Sequence, residues 1–397
     1  MMRRRRFLGV LLAGAMAVSL LSGCGEQGAA AETPEKGNGT QNSAQDSGGS
    51  GAAADADGIS IAANTWGSGA YPLDIIVHAD ERVAKAAGIN LDVADNQFTA
   101  DKVISDLQSQ LANNPDGVLM MSVVDAVFGN VQQLCDAKGV PYVLDTGLPS
   151  DESVFESMKN DKLFIGAATA TQYESGANLA RAAAAAGNKT AVILAAAMGD
   201  YSHDQRIAGF TAAFEETGGQ VRQVMHCSDP SEATTKANDL MTANADVDCV
   251  YTTGGDYLSA MAAIKSSDPT AEYELYGTDV APDLIDYIQQ GVIQAMNGGG
   301  HVCGAISMCL MINYLDGHQI LDADGKAPIF DDLNLYMITA ENAAGFKKLH
   351  ETESCFVTDE EFKSLLYRFN PEVSYETFDA FVKNYADLMC ERAKAQQ

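Results

Sequence analysis

The sequence has few positive charges for its size. Its 397 residues include 25 lysines and arginines against 54 aspartates and glutamates, and the formal net charge is −29. A surface of this sign repels phosphate backbones and anionic lipid headgroups. Nucleic acid and acidic membrane surfaces are therefore disfavoured as main partners, and so are strongly anionic small ligands.

The sequence also lacks the short motifs of the common enzyme classes. It has no G-x-S-x-G elbow, no G-x-x-x-x-G-K-S/T phosphate loop and no H-E-x-x-H helix. Its 6 histidines are scattered, and its 8 cysteines form no C-x-x-C pair for zinc. We therefore expect a binding protein, without catalytic residues, metal or cofactor, rather than an enzyme. Most cysteines are expected to be buried thiols, with a disulfide between Cys303 and Cys309 as the open alternative.

The start of the chain has the composition of an export signal. Residues 1–24 contain four arginines, an apolar run of about 15 residues and small residues before Cys24. The tetrapeptide LSGC, residues 21–24, resembles a bacterial lipobox, which implies that Cys24 is acylated. Residues 25–57 are mostly small or acidic, which predicts a disordered tether. We expect an exported protein, on the outer face of the cell membrane or in the periplasm, that touches the membrane only through a lipid anchor.

From residue 58 onward, short apolar runs alternate with segments of helical length. This alternation predicts parallel α/β sheets covered on both faces, here two doubly wound, Rossmann-like lobes with a ligand cleft between them. Three chain crossings are expected, near residues 166 and 298 and within 333–339. The first lobe would then comprise residues 58–166 and 299–334, and the second lobe residues 167–298 and 335–397. The first four predicted strands are residues 59–63, 89–95, 117–122 and 140–145.

The residues that follow the predicted strands are the candidate ligand contacts. Ligands of open α/β sheets bind beyond the carboxyl ends of the strands, where free loop amides and helix N-termini converge. Asp125 and Asp256 each directly precede a helical segment, so we interpret both as helix caps and leave them out. The candidate contacts are Asn64, Trp66, Tyr71, Ser122, Asp145, Thr146, Tyr201, Arg206, Gly255, Asp279 and His301.

Five stretches in this order resemble the type I periplasmic-binding-protein family, and within it the ribose-like sugar-binding lipoproteins of ABC transporters. They are GVLMMSVVDA, GVPYVLDTG, IGAATATQYESGANLA, DQRIAGFTAAF and YGTDVAPDLIDYIQQGVIQA. The resemblance implies that Asp145 accepts hydrogens from sugar hydroxyls, that Arg206 spans ring and hydroxyl oxygens, and that Asp279 binds from the second lobe. The sequence departs from the family pattern at Thr146 and Gly255, where arginine and asparagine are usual, and at GGGH, where glutamine is expected.

The resemblance implies a monomeric solute-binding lipoprotein that captures a neutral sugar or sugar-like molecule and delivers it to an ABC transporter permease. Carboxylates, planar donors and aromatic faces are the groups that a polyhydroxyl ligand requires. Two alternatives fit the same residues. The protein could present a ligand or quorum signal to a membrane receptor, or it could be a nucleoside-binding lipoprotein of the same fold. The aromatic stripe of the C-terminal extension, which includes Phe362, Phe378, Phe381 and Tyr385, predicts packing against the second lobe.

Overall fold

The structure, a computed structural model, describes residues 58–121, 124–351 and 357–397. The predicted export signal, Cys24 and the tether lie outside the described residues, and so does Ser122. Within the described part of the chain, no helix is both long and apolar enough to cross a membrane.

The first lobe is built on a six-stranded sheet with the order β11-β5-β4-β3-β1-β2. All of its strand pairs are parallel. Parallel strands need crossover connections, and helices between successive strands provide them. The elements from β1 to β5 are β1 (Ser60–Thr65), α1 (Tyr71–Ala87), β2 (Asn90–Asp95), α2 (Ala100–Leu111), β3 (Gly117–Met121), α3 (Asp125–Lys138), β4 (Tyr142–Asp145), α4 (Glu152–Lys159) and β5 (Phe164–Ala170).

The second lobe repeats this plan with the strand order β12-β10-β9-β8-β6-β7. Only β12, which pairs with β10, runs antiparallel to its neighbour in this sheet. Its elements up to β10 are α5 (Gln172–Ala186), β6 (Thr190–Ala195), α6 (Tyr201–Glu216), β7 (Gln220–His226), α7 (Ala233–Ala243), β8 (Cys249–Thr252), α8 (Gly255–Ser267), β9 (Glu274–Thr278), α9 (Pro282–Gln289) and β10 (Ala295–Gly298). The predicted fold of two parallel-sheet α/β lobes is confirmed.

The chain passes between the two sheets at three places. The first crossing follows β5, which stays in the first sheet as far as Ala170, four residues beyond the expected position. The second leads from β10 into α10 (Val302–Leu315), which packs on β3, β4 and β5 of the first sheet. The third joins β11 (Ile329–Leu333) to β12 (Tyr336–Thr339). The backbone N–H of Thr171 donates to the carbonyl of Leu333 at 2.9 Å, so the first and third crossings lie side by side.

The C-terminal extension packs against the second lobe, as expected, and also against the first lobe. Helix α12 (Asp359–Ser364) contacts α1 of the first lobe. Helix α13 (Tyr375–Gln396) contacts β11 of the first sheet, β12 of the second sheet and α11 (Ala343–Glu351). The additional contacts with the first lobe were not predicted, because an amphipathic pattern shows that a helix buries one face but not which surface covers that face.

Three buried apolar clusters hold the fold together. One cluster lies on the outer face of each sheet, and the third contains residues of both lobes together with the C-terminal helices. Strand β4 shows how the faces are assigned, because Tyr142 and Leu144 join one cluster while Val143 joins the shared one. Successive side chains of a strand point to opposite faces. Asp145, the next residue, is therefore directed to the same side as Val143.

The described cysteines are all free thiols. Cys303 and Cys309 are both buried, and they are not bonded to each other. Burial is the main reason why the pKa of each of these two thiols is raised. The prediction of buried thiols holds for them, and the alternative disulfide does not form.

Candidate functional site

A cavity of about 200 Å³ lies where the carboxyl ends of the two sheets face each other. The first lobe contributes aromatic and small side chains from the loops that follow its strands, and the second lobe contributes charged ones. This size suits one small ligand, since clefts for drug-sized molecules span roughly 300–1,000 Å³. The polar and aromatic side chains of the lining are Trp66, Phe98, Thr146, Gln172, Asp200, Ser202, His203, Arg206, Ser228, Asp229, Asp256, Tyr257, Asp279 and His301.

Arg206 is the only lysine or arginine in this lining. It is 6% exposed, and its Nε donates to Oε1 of Gln172 at 2.7 Å. Its Nη1 donates to the carbonyl of Thr253 at 2.6 Å and to Oδ2 of Asp279 at 3.0 Å. Helix α6 begins at Tyr201 after the cap Asp200, which places Arg206 in its second turn. Three acceptors therefore hold the guanidinium against the positive end of the helix.

Two glycines let α5 and α6 approach closely enough for the Gln172–Arg206 contact. A Cβ atom on Gly209 would lie 1.9 Å from the carbonyl oxygen of Tyr173, and one on Gly176 would lie 2.0 Å from that of Arg206. Real Cβ atoms do not come this close to backbone, so both positions require glycine. The S-G-A-N and R-I-A-G-F segments are thus the two sides of one helix crossing.

Thr146 and Asp279 occupy matching points in the two lobes. Thr146 follows β4 and has a φ of +63°, and Asp279 follows β9 and has a φ of +73°. Left-handed backbone is uncommon for residues other than glycine and concentrates at functional sites. Both side chains line the cavity.

Asp145, a predicted ligand contact, is not among the lining residues of the cavity, and its side chain is buried in the first lobe. Its side chain shares a buried space with that of Asp80 on α1, and the two residues are 1% and 4% exposed. A Cβ atom on Gly304 of α10 would lie 2.6 Å from Oδ1 of Asp80 and 2.9 Å from Oδ2 of Asp145. Burial raises the pKa of Asp145 to about 7, and burial together with the charge of Asp145 raises that of Asp80 well above its ordinary value. The reason for this placement is the alternation of β4, which directs the side chain towards α1 and α10.

Three other predicted contacts are also absent from the cavity lining among the described residues. The amide of Asn64 is used inside the first lobe, where Nδ2 donates to Oδ1 of Asn96 and to the carbonyl of Met121. The hydroxyl of Tyr71 lies 3.1 Å from Nδ1 of His350. Tyr201 packs against the outer cluster of the first lobe. The cavity lining therefore includes Trp66, Thr146, Arg206, Gly255, Asp279 and His301 of the predicted set.

Asp125 and Asp256 are not the helix caps that the sequence predicted. The N-cap of α8 is Gly254, and Asp256 lies in the first turn and lines the cavity. The N-cap of α3 is Val124, and the carboxylate of Asp125 instead accepts from the backbone N–H of Ser150 at 2.8 Å. A cap requires a residue with non-helical backbone just before the helix, and neither aspartate meets that condition.

Several lining residues are not in the predicted set, of which Phe98 and Asp200 are the clearest. Phe98 is in the loop after β2, has a φ of +59°, and lies with its ring against Gly67. Asp200 accepts from the backbone N–H of His203 at 3.2 Å as the cap of α6 and also lines the cavity. Both residues follow the carboxyl end of a strand, β2 or β6, where ligands of such sheets bind, so their positions in the sequence indicated a place near the ligand. Gln172 was not predicted because it follows the first crossing, which was expected near residue 166 and instead comes after Ala170.

A sequence model described as the periplasmic binding protein domain matches residues 79–319 of the chain. Three solved structures illustrate the fold. A glucose-galactose binding protein from Geobacillus stearothermophilus is 18% identical, with a TM-score of 0.61, and the match covers 71% of this chain and 98% of that one. The binding component of the arabinose ABC transporter from Shewanella, bound to L-arabinofuranose, is 18% identical, with a TM-score of 0.64 and coverages of 75% and 97%.

The third structure is a carbohydrate transporter from Acidothermus cellulolyticus in complex with myo-inositol. It is 16% identical, with a TM-score of 0.63 and coverages of 74% and 98%. No curated protein matched the chain. At these identities the solved structures establish the fold alone.

Proposed function

The chain belongs to the periplasmic binding protein family, and from that premise we propose that it is an extracytoplasmic lipoprotein that captures a sugar or sugar-like molecule and delivers it to an ABC transporter permease. The observation that carries the proposal is the arrangement around Arg206. This guanidinium donates hydrogen bonds to both Gln172 and Asp279, and the three side chains face a cavity that Trp66 lines from the other lobe.

The chemistry of the lining supports a polyhydroxyl ligand. Each sugar hydroxyl donates one hydrogen and accepts others, so its site needs carboxylates and planar nitrogen donors together. Charge-assisted hydrogen bonds of this kind contribute about 1.5–3 kcal/mol each. Trp66, Phe98 and Tyr257 supply apolar ring surface for the C–H groups of the same molecule. The three solved structures of this fold described above are named as binding carbohydrates or bound to carbohydrate or inositol ligands.

Capture would proceed by closure of the two lobes around the ligand. The first lobe offers Trp66, Phe98 and Thr146, and the second lobe offers Arg206 and Asp279, so a bound ligand bridges both walls. A ligand shifts the population towards the form in which it makes more contacts. The three crossings between the sheets are the segments that would bend, and the permease would recognise the closed form.

The export signal, the acylated Cys24 and the tether of residues 25–57 complete this proposal. The tether would allow the two lobes to reach a permease while the lipid stays in the membrane. We propose the protein to act as a monomer, without metal, cofactor or catalytic step.

The test is a ligand titration of the purified protein. Trp66 is the only tryptophan, so its emission reports directly on the cavity wall. Pentoses, hexoses, polyols and nucleosides are screened by thermal shift, because a ligand that binds only the native state must raise the melting temperature. We expect a member of the sugar or polyol set to raise the melting temperature and change the Trp66 emission.

Two conservative variants connect that result to the site. Arg206→Lys removes the planar guanidinium that donates to Gln172 and Asp279, and Asp279→Asn removes the negative charge that faces it. Each variant should weaken ligand binding by at least roughly tenfold. Arg222→Lys is the matched control, because Arg222 lies in the same lobe and pairs with the exposed Asp246. Equal losses in the control, or none in the two variants, would remove the site from the proposal.

A further inference from the structure

The cavity wall contains more acid than its one guanidinium balances. Four carboxyl groups line it, from Asp200, Asp229, Asp256 and Asp279, and Arg206 is the only lysine or arginine among the lining residues. Arg206 is bonded to Asp279 at 3.0 Å, and its charge also acts on Asp200, whose pKa burial raises to about 7; Asp229 and Asp256 have no cationic partner in the lining. The proposed binding site is the cavity between the lobes, and the charge of these acids determines which ligands it favours.

The histidine next to Arg206 does not offset this charge. The Nδ1 of His203 lies 2.7 Å from Oγ1 of Thr253, and burial lowers the pKa of His203 well below its ordinary value. The ring is therefore neutral at physiological pH. Asp229 stays ionised, because the hydroxyl and backbone N–H of Ser231 donate to its carboxylate and lower its pKa.

Asp256 is the acid best placed to meet a ligand. Among the described residues no group donates a hydrogen bond to its carboxylate, and the residue is exposed at the first turn of α8. The surrounding cavity wall displaces part of the water around its carboxyl group, and this desolvation together with the nearby charge of Asp279 raises the pKa of Asp256. Asp279 is adjacent in space, since a Cβ atom on Gly255 would lie 3.7 Å from the Cβ of Asp279.

Closure of the lobes on a neutral ligand would replace water around these carboxylates with ligand and protein atoms. These atoms screen charge less well than water does. Repulsion between like charges grows as the effective dielectric constant falls. A positive charge on the ligand replaces this repulsion with attraction, which likewise grows as the effective dielectric constant falls. The wall therefore favours a cation over a neutral molecule of the same shape.

We propose that the cleft selects a polyhydroxyl ligand that carries a protonated amine, such as an amino sugar or amino polyol, with the ammonium group against Asp256 and Asp279. This inference rests on the proposed function and narrows its ligand class, in place of the neutral ligand expected from the sequence. Arg206 and Gln172 remain the partners of the ligand's hydroxyl and ring oxygens.

The experiment compares matched sugars that differ in one substituent. Glucosamine, glucose and N-acetylglucosamine form one set, and the galactose and mannose series form two more. Binding is measured by calorimetry and Trp66 emission at pH 7.5 and low ionic strength. In at least one set we expect the amine to bind roughly tenfold or more tightly than both neutral members. That preference should shrink in 0.5 M NaCl as the charges are screened.

Asp256→Asn tests the assigned partner. It should weaken binding of the amine by roughly tenfold more than it weakens binding of the matched hydroxyl sugar. Asp246→Asn is the control, because Asp246 is an exposed acid of the same lobe that pairs with Arg222 and is not part of the lining. It should leave both affinities unchanged.

The outcomes separate the two proposals. If the neutral sugars bind as tightly as their amines, or if Asp256→Asn weakens both alike, the charge inference is overturned and the sugar-binding function stands. If no sugar, polyol or amino sugar binds, the proposed function falls, and the inference falls with it.

Discussion

Asp80 and Asp145 place two carboxyl groups in the interior of the first lobe. Oδ1 of each is buried and has no hydrogen-bond partner among the described residues. Two ionised carboxylates that share one buried space would repel each other strongly, because little water is present to screen their charges. The pair is therefore expected to hold a proton at neutral pH.

This pair predicts that stability falls as pH rises. The ordinary pKa of Asp145 is 3.8 and its folded value is about 7, so the folded protein binds more protons than the unfolded chain between these values. The contribution of the pair to the free energy of unfolding is fully present below about pH 4. It is lost as pH rises through about 7. Asp145→Asn, which mimics the protonated acid, should stabilise the protein at pH 8.5 by an amount on the order of 1–4 kcal/mol.

Urea unfolding at pH 5, 7 and 8.5 measures this effect. Asp200, whose pKa burial also raises to about 7, adds a slope of the same sign, so part of the pH dependence should remain in the variant. Asp239→Asn changes an exposed acid of α7 and should leave the profile as it is. An Asp145→Asn profile that is parallel to the original would show that Asp145 itself holds no proton in the folded protein.

The crossing of α5 and α6 is the element that sets the geometry of the site. Gly209→Ala would force the two helix backbones apart, because its Cβ would overlap the carbonyl of Tyr173. We expect a loss of stability of about 1–3 kcal/mol, typical of overpacking, together with weaker ligand binding as Gln172 moves away from Arg206. Thermal unfolding and the sugar titration measure the two effects.

Gly129→Ala is the matched control for that prediction. Gly129 lies within α3, has no atom within 4 Å of an added Cβ, and is not among the glycines with positive φ. Alanine there should be neutral or stabilise the helix by up to about 1 kcal/mol. If both glycine variants behave alike, the close crossing does not matter for the site.

The order of helices and strands could be predicted from the sequence because parallel strands and their covering helices differ in length and periodicity. The side of each strand that faces the ligand could not. Strands buried on both faces read as continuous apolar runs, so the pattern around Asn64 and Asp145 gives the strand end but not the side-chain direction. Asp256 and Phe98 reach the cavity through loop and helix-start geometry, which depends on tertiary packing.

At the scale of the whole molecule, the C-terminal helix α13 ties the two sheets together. Phe378 stacks on Phe330 of β11 in the first sheet, with ring centroids 5.8 Å apart. The hydroxyl of Tyr385 lies 3.2 Å from Nε2 of His301, a cavity residue beside the second crossing. A Cβ atom on Gly345 would lie 2.0 Å from the carbonyl of Ala393, so α11 and α13 also cross closely. The extension is therefore part of the core and not an appendage of one lobe.

A shared core predicts that the two lobes unfold together. One buried cluster contains residues of both sheets and of α13, so neither lobe can lose its packing without exposing the other. Phe378→Ala, at a fully buried ring, should cost about 3–5 kcal/mol and lower a single calorimetric transition without splitting it. Phe369→Ala, at a ring that is 41% exposed, should change the midpoint far less. Two separate transitions, in the original protein or in Phe378→Ala, would mean that each lobe has its own core and that α13 belongs to only one of them.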